Sequence, residues 1–269
     1  MQLSSGARRW LRTLDDYLDH RMAEVIIITG ASRGIGAATA LLAAQRGYSV
    51  CVNFRENRTA ADGIVGAIEA AGGRAIGVAA DISREADIVR LFATCDSSLG
   101  PLTALVNNAV ILEKQMRVEA MDGARIQGVF ATNVIGSFLC AREAVRRMST
   151  KRGGHGGAIV NVSSGASRLG APGEYVDYAA SKGAIDTLTV GLAKEVADEG
   201  IRVNAVRAGY IYTEMHASGG EPERVDRVKK FVPMKRGGTA NEVAQAILWL
   251  LSADASFTTG SFIEVTGGN

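Results

Sequence analysis

The chain has 269 residues, of which 47% are hydrophobic and 22% charged, and its 30 Lys and Arg nearly balance 28 Asp and Glu to give a net charge of +2. Because the two signs are interspersed, this charge pattern argues against a nucleic-acid-binding scaffold. The chain has no apolar run of about 18 residues, so we expect no transmembrane helix. The separated Cys51, Cys95 and Cys140 form no zinc motif, so we expect no metal site and a reducing, cytoplasmic compartment.

The first 21 residues precede the predicted domain. They lack the apolar core of a secretory signal, and the acids Asp15, Asp16 and Asp19 disfavour a mitochondrial transit peptide. We interpret residues 1–21 as an optional, flexible N-terminal extension; the alternative is a short amphipathic helix that packs on a partner. The remaining residues, 22–269, are predicted to form one domain.

Apolar runs typical of buried strands alternate with helical patterns along this domain. Strands are predicted at residues 25–29, 48–53, 74–79, 102–106, 158–162, 202–206 and 261–265. Helices are predicted between them, at residues 35–46, 59–71, 85–99, 128–148, 178–199 and 241–251. This alternation predicts a single-domain α/β fold, a doubly wound seven-stranded parallel sheet flanked by helices. Residues 208–239, here called the substrate segment, are predicted to be irregular.

A glycine-rich turn joins the first predicted strand to the first predicted helix. Gly30, Gly34 and Gly36 have the spacing Gly-x3-Gly-x-Gly, which differs from the commoner Gly-x-Gly-x-x-Gly. Glycines here allow the backbone to approach a pyrophosphate, and the helix N-terminus favours its negative charge. This context predicts a dinucleotide site; the alternative is a turn that only redirects the chain.

The residues after the second predicted strand bear on which dinucleotide binds. An NAD site keeps an acid there for the ribose 2′-hydroxyl, but this strand ends in Asn53 with no acid at that point. Arg33 in the glycine turn and Arg55 after the strand are placed to bracket a 2′-phosphate, which favours NADP; alternatively, both are solvated surface arginines. Asp81, after the third strand, suits either the adenine amino group or the start of the next helix.

Tyr178 and Lys182 lie four residues apart on a predicted helix, so the phenol and the ammonium share one face. Reduction of a carbonyl by hydride requires a proton, which a tyrosine of pKa ~10 holds at neutral pH. In the reverse direction, a lysine ammonium about 5 Å away would favour the phenolate by ~3.3 kcal/mol at an effective dielectric of ~20. The pair predicts a proton donor and its tuning group; the alternative is a surface tyrosine beside a surface lysine.

Further polar residues are expected at the same edge of the sheet. Ser164 ends the fifth predicted strand, where its hydroxyl is placed to polarise a carbonyl, whereas we interpret Ser163 as an ordinary turn residue. Asn108 ends the fourth strand and is placed to line a cofactor. Asn133 lies within a predicted helix, a poor position for asparagine unless its amide has a function. These features converge on one rim.

Together these motifs resemble the short-chain dehydrogenase/reductase family over residues 22–269. The resemblance rests on motifs that occur in a fixed order: TGASRGIG (29–36), Asp81-Ile82, NNA (107–109), Asn133, NVSS (161–164), YAASK (178–182) and RVNAV (202–206). Within the family, the chain looks most like a bacterial subgroup of glucose 1-dehydrogenase-like or uncharacterised oxidoreductases. The resemblance implies a Rossmann-type domain that assembles as a homotetramer or dimer.

The resemblance also implies a role for each matched residue. Tyr178 would be the proton donor or acceptor, Lys182 would bind the nicotinamide ribose and tune Tyr178, and Ser164 would polarise the carbonyl. Asn133 would anchor a water relay to Lys182. The cofactor NADP would contact Gly30, Ser32, Arg33, Gly34, Ile35, Gly36, Asn53, Arg55, Asp81, Ile82, Asn108, Ala109, Tyr178, Lys182 and, around the nicotinamide carboxamide, Gly209, Ile211 and Thr213.

Three features depart from the family pattern. Val110 replaces the usual glycine and is expected to crowd the nicotinamide or reshape the pocket floor. Ala208 replaces the usual proline before Gly209, which loosens a backbone restraint. Ser164 and Tyr178 are 14 residues apart, one more than the commonest spacing, so a residue is expected to bulge into that loop.

Substrate is expected between the loop at residues 165–177 and the substrate segment. The charged and polar side chains there predict a small polar carbonyl or alcohol rather than a steroid: Arg168, Glu174, Glu214, His216, Glu221, Glu223 and Arg224.

Two alternatives remain open. The first is a 3-oxoacyl-carrier-protein reductase, for which Arg142, Arg146, Arg147, Lys151 and Arg152 would form a docking patch, although Asp198 and Glu199 argue against it. The second is a non-catalytic NADP-binding sensor.

Overall fold

The computed structural model describes residues 24–269, and the predicted extension at residues 1–21 lies outside this part of the chain. Within it, seven strands form one parallel sheet in the order β3-β2-β1-β4-β5-β6-β9. These strands are β1 (Val25–Ile28), β2 (Ser49–Phe54), β3 (Ala75–Ala79), β4 (Ala104–Asn107), β5 (Gly157–Ser164), β6 (Ile201–Ala208) and β9 (Phe262–Val265). The predicted seven-stranded, doubly wound α/β fold is therefore confirmed.

Helices cover both faces of this sheet. They are α1 (Gly34–Gln45), α2 (Arg58–Ala70), α3 (Glu85–Leu99), α4 (Gly123–Phe130), α5 (Ser137–Met148), α6 (Ala166–Leu169), α7 (Val176–Val196), α8 (Met215–Ser218), α9 (Arg224–Val228) and α10 (Ala240–Leu251). Ile26 and Ile28 belong to one apolar cluster and Ile27 to another, because alternate residues of a strand face opposite sides of the sheet. Burial on both faces explains why β1 is an unbroken apolar run. No helix described between residues 24 and 269 is long and apolar enough to cross a membrane.

The strand order reverses between β1 and β4, which pair with each other at the centre of the sheet. In such sheets, ligands bind at the carboxyl ends of the strands beside this reversal. The glycine turn follows β1, Asn108 follows β4 and Ser164 ends β5, so the topology brings the predicted site residues to one edge.

The structure differs from the predicted elements in two places. The predicted helix at residues 128–148 starts earlier, at Gly123, and is interrupted by a π-helical turn at Ala131–Gly136. The substrate segment is not irregular throughout, because it contains α8, α9 and two short strands, β7 (Ile211–Tyr212) and β8 (Gly238–Thr239), that pair in parallel. Two-residue strands that pair across a long loop leave no periodic pattern in the sequence.

Candidate active site

A cleft of about 630 Å³ runs along the carboxyl edge of the sheet. The predicted site residues that line it are Gly30, Ser32, Arg33, Gly34, Ile35, Asn53, Arg55, Asp81, Ile82, Asn108, Ala109, Ser164, Tyr178, Lys182, Gly209, Ile211 and Thr213. Gly36 and Asn133 are not among the residues that line this cleft. One cleft thus joins the glycine turn to the Tyr178–Lys182 pair.

The glycine turn forms a cradle that side chains would fill. Gly30 and Gly34 have φ angles of +62° and +54°, in the left-handed region that favours glycine. A Cβ atom on Gly36 would lie 2.5 Å from the Gly30 carbonyl oxygen. Asn108 Nδ2 braces the turn by donating to the carbonyls of Thr29, at 2.8 Å, and Gly30, at 3.1 Å. The turn opens onto the N-terminus of α1, and this geometry fits the pyrophosphate of a dinucleotide.

Asn53 and Asp81 are held by the protein itself. Asn53 is buried; its Oδ1 accepts from Gly30 N at 3.2 Å and its Nδ2 donates to Ala80 O at 3.0 Å, so this side chain braces the glycine turn. Asp81 Oδ1 accepts from the backbone N–H of Ser83 at 2.9 Å, which forms the turn before α3. These contacts fit the alternative interpretation, in which Asp81 belongs to the start of the next helix. Asp81 also lines the cleft.

Arg33 and Arg55 both line the cleft where a nucleotide ribose would lie beside β2. Arg33 is exposed, and the half-exposed Arg55 forms an ion pair with Glu56 at 2.9 Å. Glu56 also lines the cleft. The sequence analysis missed this carboxylate, although Glu56 directly follows Arg55. Two cations and one carboxylate therefore meet at this end.

Tyr178 and Lys182 lie on α7 and are both buried. The lysine Nζ is 5.7 Å from the centre of the phenol ring and donates to the Val162 carbonyl at 2.6 Å. Burial lowers the pKa of Lys182 to about 8, although the Asp186 carboxylate raises it. Burial also raises the pKa of Tyr178, against a smaller lowering by the Ser164 hydroxyl. At neutral pH the pair is therefore a protonated phenol beside an ammonium.

Ser164 lies at the carboxyl end of β5, next to Tyr178. Its hydroxyl accepts from Ala166 N at 3.1 Å and lies 3.4 Å from the Ala208 carbonyl, a distance too long for a strong hydrogen bond. The hydroxyl is thus available to a ligand in the cleft. The extra residue between Ser164 and Tyr178 lies in the connection that contains α6.

Asn133 is buried in the π-helical turn. Its Oδ1 accepts from Ile111 N at 2.9 Å, and its Nδ2 donates to Ile111 O at 3.1 Å and to Ser181 Oγ at 3.1 Å. The amide therefore joins the segment that follows β4 to Ser181, the residue before Lys182. Both the oxygen and the nitrogen of this amide have protein partners, and the water relay from Asn133 to Lys182 stays a prediction.

Comparison with known proteins now identifies the family. The family model described as enoyl-(acyl carrier protein) reductase matches residues 30–269. The chain is 64% identical over 244 residues to the uncharacterized oxidoreductase YgfF of Escherichia coli (strain K12), which covers 91% of this chain and 99% of that protein. The chain belongs to the short-chain dehydrogenase/reductase family.

Two further comparisons support this assignment. The chain is 36% identical over 249 residues to a 3-oxoacyl-[acyl-carrier-protein] reductase of Synechocystis sp. (strain ATCC 27184 / PCC 6803 / Kazusa), covering 91% of this chain and 96% of that one. A short-chain dehydrogenase from Burkholderia cenocepacia J2315, solved in complex with NADP, superposes with a TM-score of 0.84 at 28% identity, covering 92% of this chain and 98% of that one. As a member of this family, the chain is an oxidoreductase that acts on CH–OH or C=O groups with a nicotinamide cofactor.

In this short-chain dehydrogenase/reductase, the wall beside Tyr178 is more apolar than the sequence analysis expected. Leu112, Tyr175 and Tyr178 form a buried cluster, against which Val110 and Met215 pack. Val110 lines the cleft and packs against this cluster, and its effect on the nicotinamide and on the pocket floor stays a prediction.

Ion pairs join the substrate segment to the opposite loop. The buried Arg224 guanidinium pairs with Glu174 and, at 3.0 Å, with Glu221, and Tyr175 OH donates to Gly219 O at 3.1 Å. Of the charged residues expected to surround substrate, Glu174, Glu214 and Arg224 line the cleft, whereas Arg168 is bonded to Glu264 outside it. Glu174 and Arg224, two of these three cleft-lining residues, are therefore paired with each other rather than free for substrate.

His216 also lines the cleft and is neutral, because burial lowers its pKa. Its Nε2 lies 3.0 Å from the Ile211 carbonyl, so the Nε2–H tautomer donates there. Its Nδ1 is buried without a hydrogen-bond partner within the described residues. No cluster of three or more His, Cys, Asp or Glu side chains that could hold a metal ion is found across residues 24–269.

Proposed function

We propose that the protein is an NADP(H)-dependent oxidoreductase that transfers a hydride between nicotinamide and a small polar carbonyl compound or secondary alcohol. The observation that carries the proposal is the continuity of one cleft from the glycine cradle to Tyr178, Lys182 and Ser164. Glu174, Glu214, His216 and Arg224 line the substrate end of this cleft, which supports a small polar substrate.

Three side chains of the cleft, Ser164, Tyr178 and Lys182, have separate roles in the proposed reaction. When bound, the nicotinamide cofactor supplies or accepts the hydride. The Ser164 hydroxyl donates a hydrogen bond to the substrate carbonyl, and the Tyr178 phenol gives its proton to the oxygen as negative charge develops there. Lys182 stabilises the phenolate that Tyr178 becomes. Because burial raises the pKa of Tyr178, the phenol is protonated at neutral pH, which is the form that carbonyl reduction requires.

NADP is proposed over NAD because Arg33 and Arg55 both line the ribose end of the cleft. A guanidinium binds a phosphate with two parallel hydrogen bonds, so each arginine favours the 2′-phosphate that only NADP carries. The NADP complex of the related Burkholderia structure supports this choice. Glu56 opposes it, but its carboxylate is already paired with Arg55.

The substrate class is tested by turnover of a carbonyl panel with NADPH and with NADH. We expect NADPH oxidation with small polar carbonyls, represented by diacetyl, and NADP⁺ reduction with D-glucose in the opposite direction. We expect no turnover of a steroid ketone. A preference for the steroid would contradict the small polar substrate. NADPH binding without turnover of any compound would favour the sensor alternative.

The second candidate, a 3-oxoacyl-carrier-protein reductase, is favoured by the 36% identity to such an enzyme. The expected basic docking patch is largely neutralised, because Arg142, Arg146 and Arg147 pair with three acids, Glu85, Glu143 and Asp96. Lys151 pairs with Asp198 at 2.7 Å. Acetoacetyl coenzyme A and the carrier-linked thioester separate the two functions. A kcat/KM at least about tenfold higher for the carrier-linked substrate would establish the carrier-protein reductase.

A homotetramer or dimer in the cytoplasm is proposed from surface features. Ile135 and Phe138 on the α5 side of the molecule are about half exposed, and Trp249 and Phe257 are exposed near the C-terminus. Large apolar side chains on two separate faces favour two subunit interfaces. The three cysteines are buried and free, as expected of a reducing compartment.

A further inference from the structure

Asp186 lies on α7 one helical turn after Lys182, outside the cleft. Its Oδ1 accepts from Ser163 Oγ at 2.6 Å, and its Oδ2 lies 3.0 Å from both Nε and Nη2 of Arg207. Ser163 is thus bonded to a carboxylate and is not the ordinary turn residue that the sequence suggested. The carboxylate is held from two strands, β5 and β6.

Arg207 is itself fixed by its surroundings. Its Nη1 pairs with Glu264 at 2.8 Å, and its guanidinium lies 4.0 Å from the centre of the Phe262 ring. Arg168 pairs with the same Glu264 oxygen at 2.9 Å. Because Arg207 is anchored, the Asp186 carboxylate has a defined position one helical turn from Lys182.

Lys182 needs such a partner because its ammonium is buried with one backbone carbonyl, Val162 O, as its hydrogen-bond acceptor. An isolated buried ammonium tends to lose its proton. Along α7 the other charged group near this end is Asp177, which is paired with Arg125 of α4 at 2.7 Å. The charges on α5 are paired away from Lys182, among Glu85, Asp96, Arg142, Glu143, Arg146 and Arg147.

We propose that Asp186 is a positioning residue for the reaction and that, held by Ser163 and Arg207, it keeps the Lys182 ammonium charged beside Tyr178. This role of Asp186 rests on the proposed function, because the Lys182 charge matters only if Tyr178 exchanges a proton in the reaction. The arrangement places a carboxylate one helical turn from a lysine whose ammonium is buried. Asp186 acts through Lys182 and touches neither substrate nor cofactor.

The test measures the protonation of Lys182 directly. The chain has seven lysines, so lysine labelled with ¹³C at Cε gives few NMR signals, and the signal lost in Lys182→Met assigns this residue. Asp186→Asn removes the stabilising charge, so we expect the midpoint of the Lys182 titration to fall by about half a pH unit or more. Arg207→Gln leaves Asp186 less neutralised, so we expect the midpoint to rise. A purely structural role would not move the two variants in opposite directions.

Asp198→Asn is the matched control, because Asp198 is an exposed acid paired with Lys151. It should shift the Lys151 signal and leave Lys182 unchanged. If Asp186→Asn does not fold, Asp186→Ser, which also removes the carboxylate, replaces it and should lower the midpoint in the same direction. Unchanged or same-direction shifts in the Asp186 and Arg207 variants would overturn the proposal. The titration uses no substrate, so failure of every carbonyl in the turnover assay would contradict the proposed function and leave this result standing.

Discussion

The cofactor end of the cleft is shaped by backbone, whereas the substrate end is shaped by ion pairs between side chains distant in sequence. At the first end, Gly30, Gly34 and Gly36 leave space, and amide side chains brace the turn. At the second end, Arg224 joins α9 to Glu174 across the cleft. The backbone cradle suits a constant ligand, and the side-chain contacts suit one that differs between relatives. We therefore expect substitutions at the two ends to separate cofactor affinity from substrate affinity.

The largest effect is expected where the two ends meet. Lys182→Met should lower kcat/KM by about 10²–10⁴-fold, because the phenolate of Tyr178 loses its stabilising charge. The measurement is steady-state NADPH oxidation with a carbonyl that the wild type reduces. Lys194→Met, on the same helix but outside the cleft, is the control and should retain activity. Equal activity of the two variants would remove Lys182 from the mechanism.

The next effect tests the backbone cradle. Gly36→Ala should weaken NADPH binding by about a hundredfold, since its Cβ would lie 2.5 Å from Gly30 O and 2.6 Å from Asn108 Nδ2. Fluorescence titration with NADPH gives the affinity. Gly66→Ala on α2 is the matched change, because its Cβ meets nothing within 4 Å, and it should bind normally. Normal binding by Gly36→Ala would mean that the turn does not hold the phosphates.

A smaller effect concerns the choice between NADPH and NADH. Arg33→Ala and Arg55→Ala should each lower NADPH affinity by about tenfold and leave NADH affinity nearly unchanged, because a hydrogen bond to a charged group contributes about 1.5–3 kcal/mol. Arg58→Ala, in the exposed first turn of α2 beyond the cleft, is the control. Parallel losses for both cofactors would show that the arginines do not read the 2′-phosphate.

The smallest effect is expected at the substrate end. Arg224→Gln leaves Glu174 and Glu221 without their buried partner, so the substrate segment should close less well over the cleft. We expect KM for the carbonyl to rise about threefold to tenfold while the Kd of NADPH stays constant. Arg236→Gln breaks an exposed pair with Glu242 and should change neither constant. An equal rise in the Kd of NADPH would contradict the claim that the two ends of the cleft bind cofactor and substrate separately.

Much of the fold and of the cofactor end follows from local sequence. The unbroken apolar strands, the glycines after β1 and the Tyr178–Lys182 spacing each act within a few residues, so their patterns predict their structure. The partners of Asn53 could not be predicted in this way, because its bond to Ala80 joins two strands.

The substrate end was less predictable for the same reason. The sequence places Glu174 and Arg224 near one pocket but does not show that they neutralise each other. Asp186 stands four residues after Lys182, which is a local signal that the two side chains share one helix face. The pairing of Asp186 with Arg207 has no such signal, because Arg207 lies on a separate strand. Ion pairs between residues distant in sequence leave no periodic pattern from which they could be predicted. The interpretation of Ser163 as an ordinary turn residue was wrong, because its hydroxyl donates to Asp186, 23 residues away.

Tyr178→Phe tests the central claim most directly, because the change removes one hydroxyl and leaves the cradle intact. Wild type and variant are titrated with NADPH by fluorescence, and the same samples are then assayed for NADPH oxidation with the best carbonyl of the panel. We predict equal NADPH affinity within about twofold and a loss of turnover of at least about 10²-fold. Turnover by the variant at the wild-type rate would contradict Tyr178 as the proton donor.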